Sequence, residues 1–168
     1  MHLIIDGYNL LHVNRSLIHP NPVQLHRERE RLISQLSAYQ KIKPCRITVV
    51  FDGWQSGWAA EKRECLKGVE VIYSKLGEKA DEVIKRLAKE KGSGAIVITS
   101  DRNIASSAGR MAVSVIPSEQ FHERIEFPPQ EFEEELEEEE GRGGVRKKGS
   151  SRRLSKKEKR ARAALKKL

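Results

Sequence analysis

The sequence predicts a three-layer α/β domain with a mainly parallel sheet of five strands. Short β-branched runs recur at 3–5 (LII), 47–51 (ITVVF), 69–73 (VEVIY), 95–99 (AIVIT) and 112–116 (AVSVI). They are nearly continuous in apolar residues, which suits strands covered on both faces. Helical patterns lie between them, and that alternation is the mark of helices packed on both sides of a parallel sheet.

The first strand ends at Asp6-Gly7. Asn21-Pro22 then supplies an N-cap with proline at the first helical position, and Leu25, Leu32, Leu36 and Tyr39 follow at helical spacing until Lys43-Pro44 stops the helix. The second strand ends at Asp52-Gly53. "DGWQSGWAAEKREC", 52–65, reads as an exposed loop in which Trp54 and Trp58 either lid the core or offer stacking surfaces for bases. After the third strand, Ala80, Val83, Ile84, Leu87 and Ala88 form an apolar stripe closed by Gly92. "SDRNIASSAGR", 100–110, is a helix of small residues ended by Gly109, and after Pro117 Ser118 caps a short helix holding Phe121 and Ile125.

The charge divides the 168 residues into three segments: a globular 1–125, an acidic then Gly-rich linker at 126–150, and a basic tail at 151–168. Residues 126–140 hold nine Glu and no Lys or Arg, whereas 142–168 hold thirteen Lys or Arg and one acid, Glu158. The net charge of +8 is therefore mostly a property of the C-terminal end. Cys45 and Cys65 lack C-x-x-C spacing, so a disulfide framework or thiolate zinc site is disfavoured and two buried, reduced thiols are expected. No leader pattern and no membrane-length apolar run is present, which predicts a soluble, cytoplasmic protein.

In a parallel sheet every strand delivers its carboxyl end to the same edge, where open α/β folds place ligands. Asp6 and Asp52 end the first two strands, Asp81 and Glu82 begin the helix after the third, and Asp101 follows the fourth. Singly, each is as well explained by a turn or a helix N-terminus. Jointly that reading weakens, because like charges about 4 Å apart repel by roughly 4 kcal/mol at an effective dielectric of about 20. A central cation removes the cost. Oxygen-only donors suit Mg2+ or Mn2+, whose chemistry beside a phosphate ester is hydrolysis. No histidine is placed for a metal-free mechanism: His2 precedes the strand core, and His12, His19, His26 and His122 fall in loops or on helices.

"LIIDGYNLL", "VVFDG", "KADEVI" and "VITSDRNI" together resemble, in order, the signature blocks of the YacP-like NYN family, PIN-like ribonucleases whose bacterial members include a ribosome-associated mRNA endonuclease. The resemblance covers about residues 1–125. It implies a Rossmann-like sheet of order 3-2-1-4-5 and an acidic pocket for Mg2+ or Mn2+. Asp6 and Asp101 match the principal metal ligands, Asp81 the other central acid, and Asn9 the polar residue that positions substrate or water. Asp52 and Glu82 match less closely, holding an outer water or shaping the edge, and Ser100 is placed to orient Asp101.

The expected function is thus metal-dependent endoribonuclease, with water attacking an RNA phosphodiester in line while the cation acidifies the water and neutralises charge on the phosphate. The substrate class implied is mRNA or ribosome-associated RNA. Arg15, Lys79 and Arg102 lie near the acidic edge, where they either grip the RNA backbone or serve as ordinary solubilising charge. In the tail, Arg152, Arg153, Lys156, Lys157 and Arg160 suit binding to RNA or the ribosome. Ser155 and Glu158 have capping-box spacing ahead of a thin stripe of Ala161, Ala164, Leu165 and Leu168. No membrane partner is expected, because that stripe lacks Trp or Phe. The competing reading is a catalytically weak RNA-binding or ribosome-associated module, which would gain nothing from acids facing phosphate. A receiver-type phosphoacceptor is set aside, because an acidic pair after the first strand and a Lys after the fifth are both missing.

Overall fold

A computed structural model describes residues 1–13, 21–53 and 58–126, with Ala161, Ala163 and Ala164. The chain runs β1 (His2–Asp6), α1 (Gly7–Leu11), α2 (Pro22–Ile42), β2 (Arg46–Phe51), β3 (Lys62–Leu66), β4 (Val69–Tyr73), α3 (Ala80–Lys91), β5 (Ala95–Ile98), α4 (Arg102–Arg110), β6 (Ser114–Ile116) and α5 (Ser118–Glu126). The sheet order is β3-β4-β2-β1-β5-β6.

The five predicted strands are present, and as β4-β2-β1-β5-β6 they keep the expected order with every pairing parallel. The strand count is corrected from five to six. β3, in the stretch read as a loop, pairs antiparallel with β4 through Leu66↔Val69 across Lys67-Gly68. Both turn residues have positive φ, 54° and 84°, the backbone of a tight two-residue hairpin. β3 escapes the apolar-run criterion because it is an exposed edge strand of charged residues, a composition that discourages edge-to-edge pairing. The same exposure corrects the expectation for Cys65, an exposed free thiol; Cys45 is half-buried and also free.

Along the strands, alternate residues feed two cores. Leu3, Ile5, Val49, Phe51, Val71 and Ile98 pack against Leu25, Leu32, Leu36 and Tyr39 of α2 and Phe121 of α5. Ile4, Val50, Ile72 and Val97 face Val83, Ile84 and Leu87 of α3 and Ile104 of α4. At about 1.5–3 kcal/mol per fully buried aliphatic side chain, these two faces set the three-layer arrangement. The caps fix where the helices start. Asn21 and Gln24 close a reciprocal capping box at 3.0 and 2.8 Å, and Gly92 ends α3 with φ 57°.

Ala161, Ala163 and Ala164 are helical, and Ala164 is buried against the α2-side core. Ala163 and Ala164 share a cavity of about 310 Å³ with Met1, Ala95, Ile96 and Ser114, at the amino ends of β1, β5 and β6. Leu165, Leu168 and the capping pair Ser155 and Glu158 lie outside the described residues. Among the described residues no helix is long and apolar enough to cross a membrane.

Candidate active site

The site is built at the carboxyl edge, beginning with Asp6, the last residue of β1. Its side chain is 8% exposed. Oδ1 accepts from the backbone N–H of Asn9 at 3.2 Å, so this carboxylate also caps α1. Oδ2 accepts from the Thr99 hydroxyl at 3.1 Å. Burial pushes the carboxyl up to about 6 against the pull of these two hydrogen bonds, and the charges of Asp81 and Asp101 push it the same way. Three acids from separate segments thus share one electrostatic field.

Asp101 divides its two oxygens. Oδ1 accepts from the N–H groups of Asn103 and Ile104 at 2.6 and 3.1 Å, capping α4, while Oδ2 makes no hydrogen bond to any described residue. The capping reading therefore holds for Oδ1, and Oδ2 is left open toward the edge. Asp81 stands in the first turn of α3, whose N-cap Lys79 contributes no side-chain bond, and its carboxylate is not engaged by any described residue. Glu82 instead pairs with Lys85 at 2.9 Å. That hydrogen bond raises the Lys85 ammonium, and Asp81 and Asp101 raise it further, which places Lys85 in the field of the same acids. Asp52 lies at the end of β2, its Oδ1 3.5 Å from Ser74 Oγ, and its charge opposes ionisation of the Tyr8 phenol.

Asn9 clamps the edge from the other side. Its Oδ1 accepts from Ser100 N–H at 2.8 Å and from the buried Ser118 hydroxyl at 2.6 Å. Ser118 N–H donates to Ser100 Oγ at 3.0 Å, and Ser100 Oγ donates to Glu119. Ser100 is therefore turned toward α5. Thr99 is the residue that touches both flanking acids, since its Oγ1 also accepts the Asp101 N–H at 3.1 Å. Two glycines let the edge close: a Cβ on Gly7 would enter the Phe51 ring, and one on Gly53 would fall onto the Ser74 carbonyl oxygen.

Among the described residues no three His, Cys, Asp or Glu side chains stand close enough to share one ion directly. The donors are all oxygens, and the buried carboxylate is short of positive charge. This fits a small hard cation that keeps most of its water and is held by one or two carboxylates. Lys79 and Arg102 are at the starts of α3 and α4, on this edge. Arg15, Trp54 and the basic residues Arg152, Arg153, Lys156, Lys157 and Arg160 lie outside the described residues.

The chain is thus a largely parallel α/β sheet with carboxylates gathered at its carboxyl edge. The chain belongs to the YacP-like NYN domain family, which it matches over residues 3–167. It is 34% identical over 87 residues to the uncharacterized protein YacP of Bacillus subtilis (strain 168), a match spanning 52% of this chain and about half, 51%, of that relative. Its fold is similar to that of the crystal structure of Rae1 (YacP) from Bacillus subtilis, with a TM-score of 0.60 at 26% identity over 84% of this chain and 82% of that one. A tryptophan-to-leucine mutant of Rae1 gives a TM-score of 0.64 at 24% identity over 84% of both chains. NYN domains are a PIN-like nuclease family, which supports a nuclease-type, RNA-related function.

Thr99, Ser118, Glu119 and Lys85 are the site residues that the sequence reading missed. Thr99 alone had a local signal, as the side chain between the last buried strand residue and Ser100-Asp101.

Proposed function

We propose that the protein is a metal-dependent endoribonuclease that hydrolyses RNA phosphodiester bonds in the cytoplasm, with mRNA or ribosome-associated RNA as its substrate class. The observation that carries this reading is Asp6, a buried carboxyl pushed up to about 6 while Asp81 and Asp101 add to the load. A protein that only bound RNA would be better served by removing such charge than by burying it.

Asp6 and the uncapped Oδ2 of Asp101 would hold a Mg2+ or Mn2+ ion, with Asp81 beside them. When bound, that ion supplies acidification of water and neutralisation of charge on the phosphate. The remaining work falls to the chain. Thr99 and the Asn9 N–H fix the Asp6 carboxylate from both oxygens, so little reorganisation is needed on binding. The Asn9 clamp holds the Ser100-Asp101 turn against α5, and Lys79 and Arg102 supply positive charge for the RNA backbone. The family relationship and the basic tail support the substrate class.

The test is cleavage of labelled single-stranded and structured RNAs with Mg2+, Mn2+ or EDTA, comparing the wild type with Asp6→Asn and Asp101→Asn. The expected result is internal cleavage that needs the cation and both acids. Activity that survives EDTA or both substitutions would overturn the mechanism.

A further inference from the structure

Outside the acids, the carboxyl edge carries a second group of side chains that the proposed chemistry does not use. Tyr8, two positions after Asp6, meets the ring of Phe51 edge-on at 5.3 Å, and Phe51 stacks on Tyr73 at 5.8 Å with 24° between the planes. Tyr73 is the last residue of β4, and its register partner on β3 is Lys62. The Lys62 ammonium lies 5.8 Å from the Tyr73 ring centre and 5.0 Å from that of Trp58. From α2, the Arg29 guanidinium reaches over the same rings, 5.9 Å from Phe51 and 5.8 Å from Tyr73.

Phe51 is fully buried and forms the floor of this row, Tyr8 and Tyr73 are half-buried, and Trp58 is 43% exposed. Trp58 offers an exposed indole face beside the Lys62 ammonium, a surface that suits a flat ligand. Lys62 is shared with Glu64 at 3.0 Å. Arg29 has no acidic partner among the described residues; its Nε makes a 3.4 Å bond to the Leu25 carbonyl, and its two terminal NH2 groups engage no described acceptor. This half-buried guanidinium lies over two aromatic rings with no acidic counter-ion among the described residues, a placement that suits an anionic ligand. The row crosses β1, β2, β4 and β3, three strand spacings or about 14 Å, a span of a few nucleotides.

Rings that alternate with cations are the combination that unpaired nucleic acid requires, since each base has a π-face to stack and each phosphate a charge to place. We infer that Trp58, Tyr73 and Tyr8, with Arg29 and Lys62, form a stacking tract for unpaired RNA nucleotides, leading from the β3 edge of the sheet to the acidic pocket. The tract rests on the reading of the protein as an RNA-acting enzyme and adds to it a binding site and a direction of approach. Bases enclosed in a duplex cannot reach these rings, so the tract selects single strands.

The test uses the full-length chain in EDTA, at about 0.2 M salt so that the tail's charge-only grip is weakened. The probes are a short fluorescein-labelled single-stranded RNA and the same strand with abasic nucleotides, titrated by anisotropy. The wild type is expected to prefer the base-bearing strand by about tenfold, the worth of roughly one stacked base. Trp58→Ala should remove most of that preference and Trp58→Phe should restore it; because Trp58 is exposed, neither substitution endangers the core. Lys62→Gln should weaken binding of both strands. Equal affinity of the wild type for the two strands, or a preference that Trp58→Ala leaves intact, would overturn the tract even if cation-dependent cleavage is observed. Base-dependent binding through Trp58 without cleavage in Mg2+ or Mn2+ would support the tract and sink the nuclease reading instead.

Discussion

The Thr99 hydroxyl donates to Asp6 Oδ2 at 3.1 Å while its oxygen accepts the backbone N–H of Asp101 at the same distance, so one side chain joins the two principal acids. Thr99 is 1% exposed, which leaves no water to replace it. Thr99→Val preserves shape and removes both bonds, and it is expected to cost about 1–3 kcal/mol in urea denaturation. The Thr99 bond also holds the Asp6 carboxyl down, so its loss should move the acid limb of the pH–rate profile to higher pH. Thr99→Ser should retain both properties.

Asp6 should make the metal-free protein less stable than it would be without the charge. Its folded value, about 6, lies above the ordinary 3.8, so between those values the folded state holds a proton that the unfolded state has released. Stability therefore falls as pH rises through this window, and the whole cost, about 3 kcal/mol, is present above pH 6. Asp6→Asn is expected to be more stable than the wild type in EDTA at neutral pH and above. That advantage should vanish below pH 3.8, which thermal melts across pH would read directly.

A divalent cation should reverse that cost. Melting in Mg2+ or Mn2+ is expected to raise the wild-type Tm, with a gain of about 2.7 kcal/mol at roughly a hundredfold excess over Kd. The gain should shrink as pH falls below about 6, where Asp6 takes up its proton. Asp6→Asn and Asp101→Asn should lose most of it, and an undiminished shift in both would place the cation elsewhere.

What could be read from the sequence divides along physical lines. The parallel strands were legible because burial on both faces forces apolar runs, and Asp6, Asp52 and Asp101 were legible because each follows such a run. β3 was not, since an edge strand of Lys62, Arg63 and Glu64 carries the polarity of a loop. Neither was α1, five residues long and capped by the same Asp6 that serves the site. Thr99, Ser118 and Glu119 are ordinary polar residues by composition. Thr99 completes its role by meeting a side chain 93 positions away, and Ser118 gains its own by meeting one 109 positions away. Trp58 reads from the sequence as either a core lid or a stacking surface, and at 43% exposed it does not lid the core.

Asn9 separates a clamp from a participant in the chemistry. Its Oδ1 satisfies Ser100 N–H and the buried Ser118 hydroxyl, whereas its Nδ2 donates to no described residue. Asn9→Ala strands two donors, one of them fully buried, and should cost about 1–3 kcal/mol as well as activity, so by itself it decides nothing. Asn9→Asp keeps an acceptor for both donors, so the clamp survives, and any loss of stability should come from the added charge and shrink as the pH falls. It removes the Nδ2 donor and adds a negative charge near Asp6, which pushes that carboxyl further up. If Asn9 only clamps, the whole effect on turnover is a shift of the acid limb, and raising the pH restores the rate. The expected outcome is a rate that stays at least about tenfold low on the alkaline plateau, the worth of one lost hydrogen bond to a substrate phosphate or water.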